Sequence, residues 1–78
     1  MSSSCWFLRV DAQAIVGQRI REGREALGLS QEALAEAMET SHQQVGRIER
    51  GEHDLRLSTL LAFSQGVRVP LVQLLRDL

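Results

Sequence analysis

The sequence predicts an all-α fold of five helices and no sheet. Apolar residues recur three and four positions apart in successive segments, which is the spacing of one face of an α-helix. Ser30 and Ser41 precede two of these segments as helix caps, and Gly28 and Gly51 stand where helices commonly end. Because the chain has only 78 residues, we expect one domain with a small core and marginal stability.

The first predicted helix runs from about Asp11, a suitable N-cap, to Leu27. Val16, Ile20 and Leu27 lie at helical spacing on its apolar stripe, which also contains Gly23. A glycine inside a helix costs up to about 1 kcal/mol relative to alanine. We therefore expect another helix to make close contact at Gly23.

The second and third predicted helices are joined by a tight turn. Helix 2 follows Ser30 and reaches about Met38. Helix 3 follows Ser41, which forms with Gln44 the S-x-x-Q spacing of a capping box. The apolar residues expected to face inward are Leu34, Ala35 and Met38 on helix 2 and Val45 and Ile48 on helix 3.

The last two predicted helices are the most apolar. Helix 4 extends from about Ser58 to Gly66, and Pro70 stands in the first turn of helix 5, where its missing N–H would have no intrahelical partner. The residues expected on one side of helix 4 are Leu57, Leu60, Leu61 and Ser64, and helix 5 carries Leu71, Leu74, Leu75 and Leu78.

Residues 1–10 are assigned to an N-terminal arm and residues 11–78 to the helical domain. The arm contains Trp6, Phe7, Leu8 and Val10, so it is too apolar for a freely solvated tail. Two interpretations remain open. The arm packs on the outside of helix 1 or helix 5, or it crosses a dimer interface.

The composition argues against several classes of protein. A single cysteine, Cys5, allows no internal disulfide, and no apolar run is long enough to span a bilayer. The N-terminal segment lacks the basic region of a secretory signal, so we expect a cytoplasmic protein. No glycine-rich phosphate loop is present, and His42, His53 and Cys5 are too scattered for a zinc site. We therefore expect no enzyme activity, no metal and no cofactor.

Charge is distributed unevenly along the chain. The formal net charge of −1 argues against a non-specific coat on nucleic acid, and all nine cationic residues are arginine. Acidic residues concentrate in helices 1 and 2. Residues 41–51 carry Arg47 and Arg50 against Glu49 alone, together with His42. This distribution favours phosphate near helix 3.

Helix 3 carries polar residues suited to reading base edges. Its outer side, away from Val45 and Ile48, consists of His42, Gln43, Gly46 and Arg47. Glutamine can form two hydrogen bonds with adenine, and arginine can do so with guanine. Gly46 would let the helix approach the groove floor closely. Gln44 either reaches a base or phosphate or closes the capping box on Ser41.

Three further residues are candidates for contact with the DNA backbone. Gln31 opens helix 2, where its side chain and the helix N-terminal N–H groups can meet a phosphate. Arg50 and His53 follow helix 3, where the chain would run along the sugar-phosphate backbone. The alternatives are a solvated surface residue for Arg50 and an incidental loop histidine for His53.

Residues spread from about position 16 to position 75 match a known pattern without a gap. They are Ile20-Arg21 with Arg24, Gly28-Leu29-Ser30-Gln31-Glu32, Leu34-Ala35, Ser41, Arg47-Ile48-Glu49-Arg50-Gly51-Glu52, Thr59-Leu60 and Leu74-Leu75. Together they resemble the lambda-repressor/Cro-like (XRE) helix-turn-helix family. The resemblance implies a compact five-helix domain, with the helix-turn-helix at helices 2 and 3, that binds operator DNA, usually as a dimer.

The resemblance also implies roles for particular residues. Gln31 looks like a glutamine that touches phosphate and supports the first reading residue. Arg24 and Glu49 resemble an internal ion pair that ties helix 1 to the end of helix 3, and are expected to be structural. The reading positions are occupied by His42, Gln43, Gln44 and Arg47.

Three residues depart from the family pattern. Glu39 stands where glycine gives the turn between helices 2 and 3 a left-handed backbone. Glutamate in that conformation costs about 1 kcal/mol, or else the turn is shaped differently. Arg68 replaces another frequent glycine between helices 4 and 5, and Leu55 stands where proline is common.

The sequence thus predicts a transcriptional regulator that binds a palindromic operator in double-stranded DNA as a homodimer, as phage repressors or restriction–modification controller proteins do. A small-molecule ligand is not expected, because the length leaves no room for a separate effector domain. The alternative is an antitoxin or helical adaptor whose main partner is another protein. That partner would dock on the apolar termini, Trp6 to Val10 and Val67 to Leu78, which would serve a homodimer equally well. The candidate dimer interface consists of Trp6, Phe7, Val69, Leu71, Leu75 and Leu78.

Overall fold

The computed structural model describes residues 2–52 and 55–78, with side chains from residue 12 onward. The described residues form five helices and no strand: α1 (Ser2–Ala26), α2 (Gln31–Ala37), α3 (His42–Glu49), α4 (Leu57–Val67) and α5 (Leu71–Leu74). The predicted all-α class is therefore confirmed. Helix α1 begins at Ser2, so the prediction that the first helix starts at an Asp11 N-cap is wrong: no proline or glycine interrupts residues 2–16, and the helix runs through them. The packing of the side chains in the predicted N-terminal arm lies outside the described part.

Helices α1 to α4 end alike, each followed closely by one residue in the left-handed conformation. At the end of α2, Glu39 N–H donates to Glu36 O at 3.2 Å and Thr40 N–H donates to Ala35 O at 2.9 Å, which is the Schellman pattern. Glu39 therefore adopts the backbone that the family gives to glycine, and the alternative of a differently shaped turn is wrong. The four residues are Gly28 and Gly51 at φ 73° and Glu39 and Arg68 at φ 58°.

All five helices contribute to the core. The inward stripes predicted for helices 2 and 3 are confirmed, with Met38 partly buried. Gly23 also makes a close contact, since a Cβ there would lie 2.9 Å from Val69 Cγ2 and 3.2 Å from Val67 Cβ. Its neighbours are thus the last residue of α4 and the link that follows. The buried apolar residues are Val16, Ile20, Leu34, Ala35, Val45, Ile48, Leu60, Phe63, Val67 and Leu74.

Three leucines expected on the apolar stripes of helices 1 and 4 are exposed: Leu27, Leu57 and Leu61. Helix α4 buries Leu60 together with Phe63 and Val67. Both stripes have helical spacing and share Leu60, and the packing of the other helices against α4 buries the one that contains Phe63. Leu27 lies in the turn beyond the last residue of α1, so it leaves the buried stripe of that helix.

The short α5 is held in place by Arg19 of α1. The Arg19 Nη1 group donates to the carbonyl oxygens of Gln73 at 3.3 Å and Leu74 at 3.1 Å, and also to that of Arg76. A cation at this end of a helix meets the negative end of the helix dipole. Helix α1 therefore fixes the position of the C-terminal segment.

Candidate nucleic-acid interface

Helix α3 has a buried side and an exposed side. The Ser41 hydroxyl accepts the Gln44 backbone N–H at 3.2 Å, and the described residues include no return bond from the Gln44 side chain. Val45 and Ile48 are fully buried, and Gln44 is partly buried at the edge. The exposed side carries three side chains that form no hydrogen bond or ion pair within the described residues: His42, Gln43 and Arg47.

Gly46 is buried on the side of α3 that faces α2. A Cβ at this position would lie 3.1 Å from Arg50 Nη1 and 3.6 Å from Gln31 Oε1. The expectation that Gly46 lies on the open outer side is therefore wrong, because Gln31 and Arg50 cover it. The glycine instead gives the side chains of Gln31 and Arg50, both predicted DNA anchors, room to lie directly against α3.

Arg24 and Glu49 form a buried ion pair with two hydrogen bonds. Arg24 Nε donates to Glu49 Oε2 at 2.7 Å, and Arg24 Nη2 donates to Glu49 Oε1 at 3.1 Å. Arg24 Nη1 also donates to the Leu29 carbonyl oxygen at 2.8 Å, so the guanidinium is held at three points. Hydrogen bonding to Glu49 raises the pKa of Arg24 above its ordinary value, against the opposing effect of burial. The pair connects α1 to the last residue of α3.

Gln31 is the first residue of α2 and is half-buried. Its Nε2 donates to Glu49 Oε1 at 3.0 Å. The predicted phosphate anchor and the predicted structural pair therefore share one site. Ser30 caps the same helix as expected, since its hydroxyl accepts the Ala33 backbone N–H at 3.0 Å.

Arg50, the second predicted anchor, is paired with Glu52. Arg50 Nε donates to Glu52 Oε2 at 2.9 Å and Arg50 Nη2 donates to Glu52 Oε1 at 3.4 Å, with both side chains exposed. These hydrogen bonds lower the pKa of Glu52 and raise that of Arg50. Sequence reasoning gave Glu52 no individual role, although its charge two positions from Arg50 was an available signal. His53, the third predicted backbone contact, lies outside the described residues.

Apolar side chains near the C-terminal end are exposed. Leu75 and Leu78 are 38% and 53% exposed and border a groove with Leu55 and Leu60. Val72 is 73% exposed and was absent from the predicted interface. This end of the structure therefore offers apolar surface on α5 and the residues after it.

The remaining dimer candidates differ from Leu75 and Leu78 in exposure. Val69 and Leu71 are half-buried and pack against the core. Trp6 and Phe7 belong to α1, but their side chains lie outside the described part. Leu75 and Leu78 are thus the described candidates with the most accessible surface.

No helix within residues 2–52 and 55–78 combines the length and apolar character needed to cross a membrane. Among the described side chains, those of residues 12–52 and 55–78, no three potential metal ligands lie together.

Comparison with known proteins gives a consistent result. A helix-turn-helix family model matches residues 20–74. The chain is 41% identical over 69 residues to a transcriptional regulator in the ATPase CF(0) region of Rhodospirillum rubrum. The aligned residues cover 88% of this chain and 62% of that protein. It is 32% identical over 66 residues to the control protein C.SmaI of Serratia marcescens, covering 85% of this chain and 79% of that protein.

A solved structure is also similar. The crystal structure of the restriction–modification controller protein C.AhdI from Aeromonas hydrophila matches with a TM-score of 0.76 and 34% sequence identity. The match covers 83% of this chain and 94% of that one. The chain thus spans nearly all of this controller, but less than two thirds of the Rhodospirillum regulator.

Proposed function

The chain belongs to the lambda-repressor-like (XRE) helix-turn-helix family, and from this premise we propose that it is a transcriptional regulator that binds a palindromic operator as a homodimer. A controller-type role is proposed because a control protein and a restriction–modification controller are among its relatives. The proposed partner is double-stranded DNA, in the cytoplasm.

The exposed side of α3 is the observation that carries the proposal. Val45 and Ile48 anchor the helix in the core, while His42, Gln43 and Arg47 extend away from it. The major groove is wide enough for such a helix, and glutamine and arginine can each read a purine through two hydrogen bonds. In the proposed complex, α3 enters the major groove and these side chains, with Gln44 at the edge, reach the base edges.

Two side chains beside α3 would contact the DNA backbone. Gln31 and Arg50 both approach Gly46, so they lie directly beside the helix that would enter the groove. Arg50 supplies positive charge, and Gln31 supplies hydrogen-bonding groups at the start of α2. Contacts of this kind fix the orientation of the protein on the duplex, while the base contacts carry the sequence preference.

The exposed apolar surface near α5 supports the homodimer. Burying Leu75 and Leu78 against a second copy would remove apolar area from water, worth roughly 25 cal/mol per Å². A two-fold dimer would place its two α3 helices in successive major grooves, about 34 Å apart or a multiple of this distance. A palindromic operator has the same symmetry.

Selection from a random duplex library with the purified protein, combined with its mass in solution, tests the proposal. We expect an enriched palindromic site, the mass of a dimer, and a log–log salt slope of about −0.9 per phosphate neutralised. A protein without preference for any duplex would refute the proposal. That outcome would favour the antitoxin or adaptor alternative, in which the exposed leucines dock another protein.

A further inference from the structure

The buried ion pair and the predicted DNA anchor at the start of α2 share one oxygen atom. Glu49 Oε1 accepts a hydrogen bond from Arg24 Nη2 at 3.1 Å and another from Gln31 Nε2 at 3.0 Å. We propose that Glu49 is a positioning residue for DNA binding, because it fixes the orientation of the Gln31 side-chain amide against α3, the helix proposed to read the bases. This inference rests on the proposed function.

The carboxylate itself is held firmly. Its second oxygen accepts from Arg24 Nε at 2.7 Å, and the Arg24 guanidinium is further fixed by the Leu29 carbonyl oxygen at 2.8 Å. Both charged side chains are more than nine-tenths buried. A short, charge-assisted and bidentate pair of this kind has little freedom to move. Glu49 therefore presents Oε1 to Gln31 at a defined position.

A carboxylate can only accept hydrogen bonds, so it selects one of the two orientations of the Gln31 amide. The Gln31 Nε2 group must face Glu49, because the flipped amide would place Gln31 Oε1 against Glu49 Oε1. One N–H of Nε2 is used by Glu49, and the other remains available for a phosphate oxygen. Gln31 thus reaches the DNA with its donor already oriented.

Gly46 forms the surface of α3 against which this amide packs. A Cβ at Gly46 would lie 3.6 Å from Gln31 Oε1 and 3.8 Å from Nε2, which are ordinary contact distances. The amide therefore lies close to the backbone of α3, beside the residues proposed to read bases. The position of Gln31 is set by two residues of α3, Gly46 and Glu49, rather than by α2 alone.

The test is a double-mutant cycle for operator binding with Glu49→Gln and Gln31→Ala. The Glu49→Gln side chain keeps the shape of glutamate, but it loses the charge and one of the two acceptor oxygens that hold Arg24 and Gln31, so the Gln31 amide is fixed less firmly. We expect Glu49→Gln to weaken operator binding about tenfold in the wild-type background, the scale of one charge-assisted hydrogen bond. In the Gln31→Ala background, the same change should cost less than about twofold, because no amide remains to be positioned. Equal costs in both backgrounds would overturn the proposal.

A second measurement does not depend on the folding of any variant. Side-chain NH₂ relaxation in the free wild-type chain should show an ordered Gln31 amide and a mobile Gln43 amide, which is exposed and forms no described hydrogen bond. Equal mobility of the two amides would also overturn the proposal. Failure of the wild-type chain to bind any duplex would instead refute the proposed function, and it would be seen before any variant is compared.

Discussion

Gly17 of α1 packs directly on the backbone of Glu49 at the end of α3. A Cβ at Gly17 would lie 2.7 Å from the Glu49 carbonyl oxygen and closer still to that of Ile48. Backbone atoms of a helix cannot rotate away, so α1 and α3 would have to separate. Gly17→Ala should therefore lower the free energy of unfolding by about 1–3 kcal/mol, the usual cost of overpacking, although alanine favours the helix. Urea denaturation measures this change.

Gly46→Ala is the matched control for that substitution. The added Cβ would meet the end of the flexible Arg50 side chain at 3.1 Å, which can move aside. The free energy of unfolding of Gly46→Ala should equal or exceed that of the wild-type chain, because alanine is a better helix former than glycine by about 1 kcal/mol. An equal loss of stability in both variants would show that the backbone contact of Gly17 is unimportant.

Glu39 adopts a left-handed backbone at φ 58° in the turn between α2 and α3. Glu39→Gly should raise the free energy of unfolding by about 1 kcal/mol, because glycine adopts this conformation without strain. Glu36→Gly removes the same side chain from an exposed position inside α2 and should lower stability by about 1 kcal/mol. Thermal unfolding of both variants checks that the two substitutions change stability in opposite directions. A loss of stability in both variants would contradict the assignment of strain to Glu39.

Arg47 is exposed on α3 and forms no hydrogen bond or ion pair within the described residues. Arg47→Ala should weaken operator binding by about 1–3 kcal/mol and relax the preference at one base pair in each half-site. Arg21→Ala removes another exposed arginine, paired with Glu25 on α1, and should change neither property. Binding to single-base operator variants makes the measurement. A uniform loss of affinity across all of them would make Arg47 a phosphate contact.

The parts of the fold that follow from local chemistry could be predicted from the sequence. Ser30 and Ser41 cap their helices through neighbouring N–H groups, so both helix starts follow from a few adjacent residues. The buried side of α4 could not be predicted, because two stripes share Leu60 and only the packing of the other helices selects Phe63. Helical spacing alone does not distinguish them.

In the candidate site, too, some features could be predicted from the sequence and others could not. The outer side of α3 follows from the positions of Val45 and Ile48, whereas the burial of Gly46 depends on a side chain that arrives from α2. Gln31 and Glu49 are 18 positions apart, and no periodicity relates them. Contacts between elements need the three-dimensional arrangement before they can be recognised.

Leu75 is the residue we expect to report most directly on dimer formation. A charge placed at a buried apolar contact is strongly unfavourable, so Leu75→Glu should weaken dimerisation about tenfold or more. Leu27→Glu is the matched control, since Leu27 is 41% exposed, close to the 38% of Leu75, and lies outside the groove. Sedimentation equilibrium gives both dissociation constants. A dimer unaffected by Leu75→Glu would place the interface elsewhere.

The pairing of Glu52 with Arg50 predicts a specific pH dependence. Hydrogen bonds from Arg50 hold the pKa of Glu52 below its ordinary value of 4.5 in the folded chain. The pair therefore contributes to stability above about pH 4.5, and this contribution disappears as the pH falls through the lowered pKa. Carboxyl-carbon NMR should give a lower titration midpoint for Glu52 in the wild-type chain than in Arg50→Ala. Arg21→Ala, which removes an arginine paired with Glu25, should leave that midpoint unchanged. Identical midpoints in the wild-type chain and Arg50→Ala would mean that the two side chains do not pair in solution.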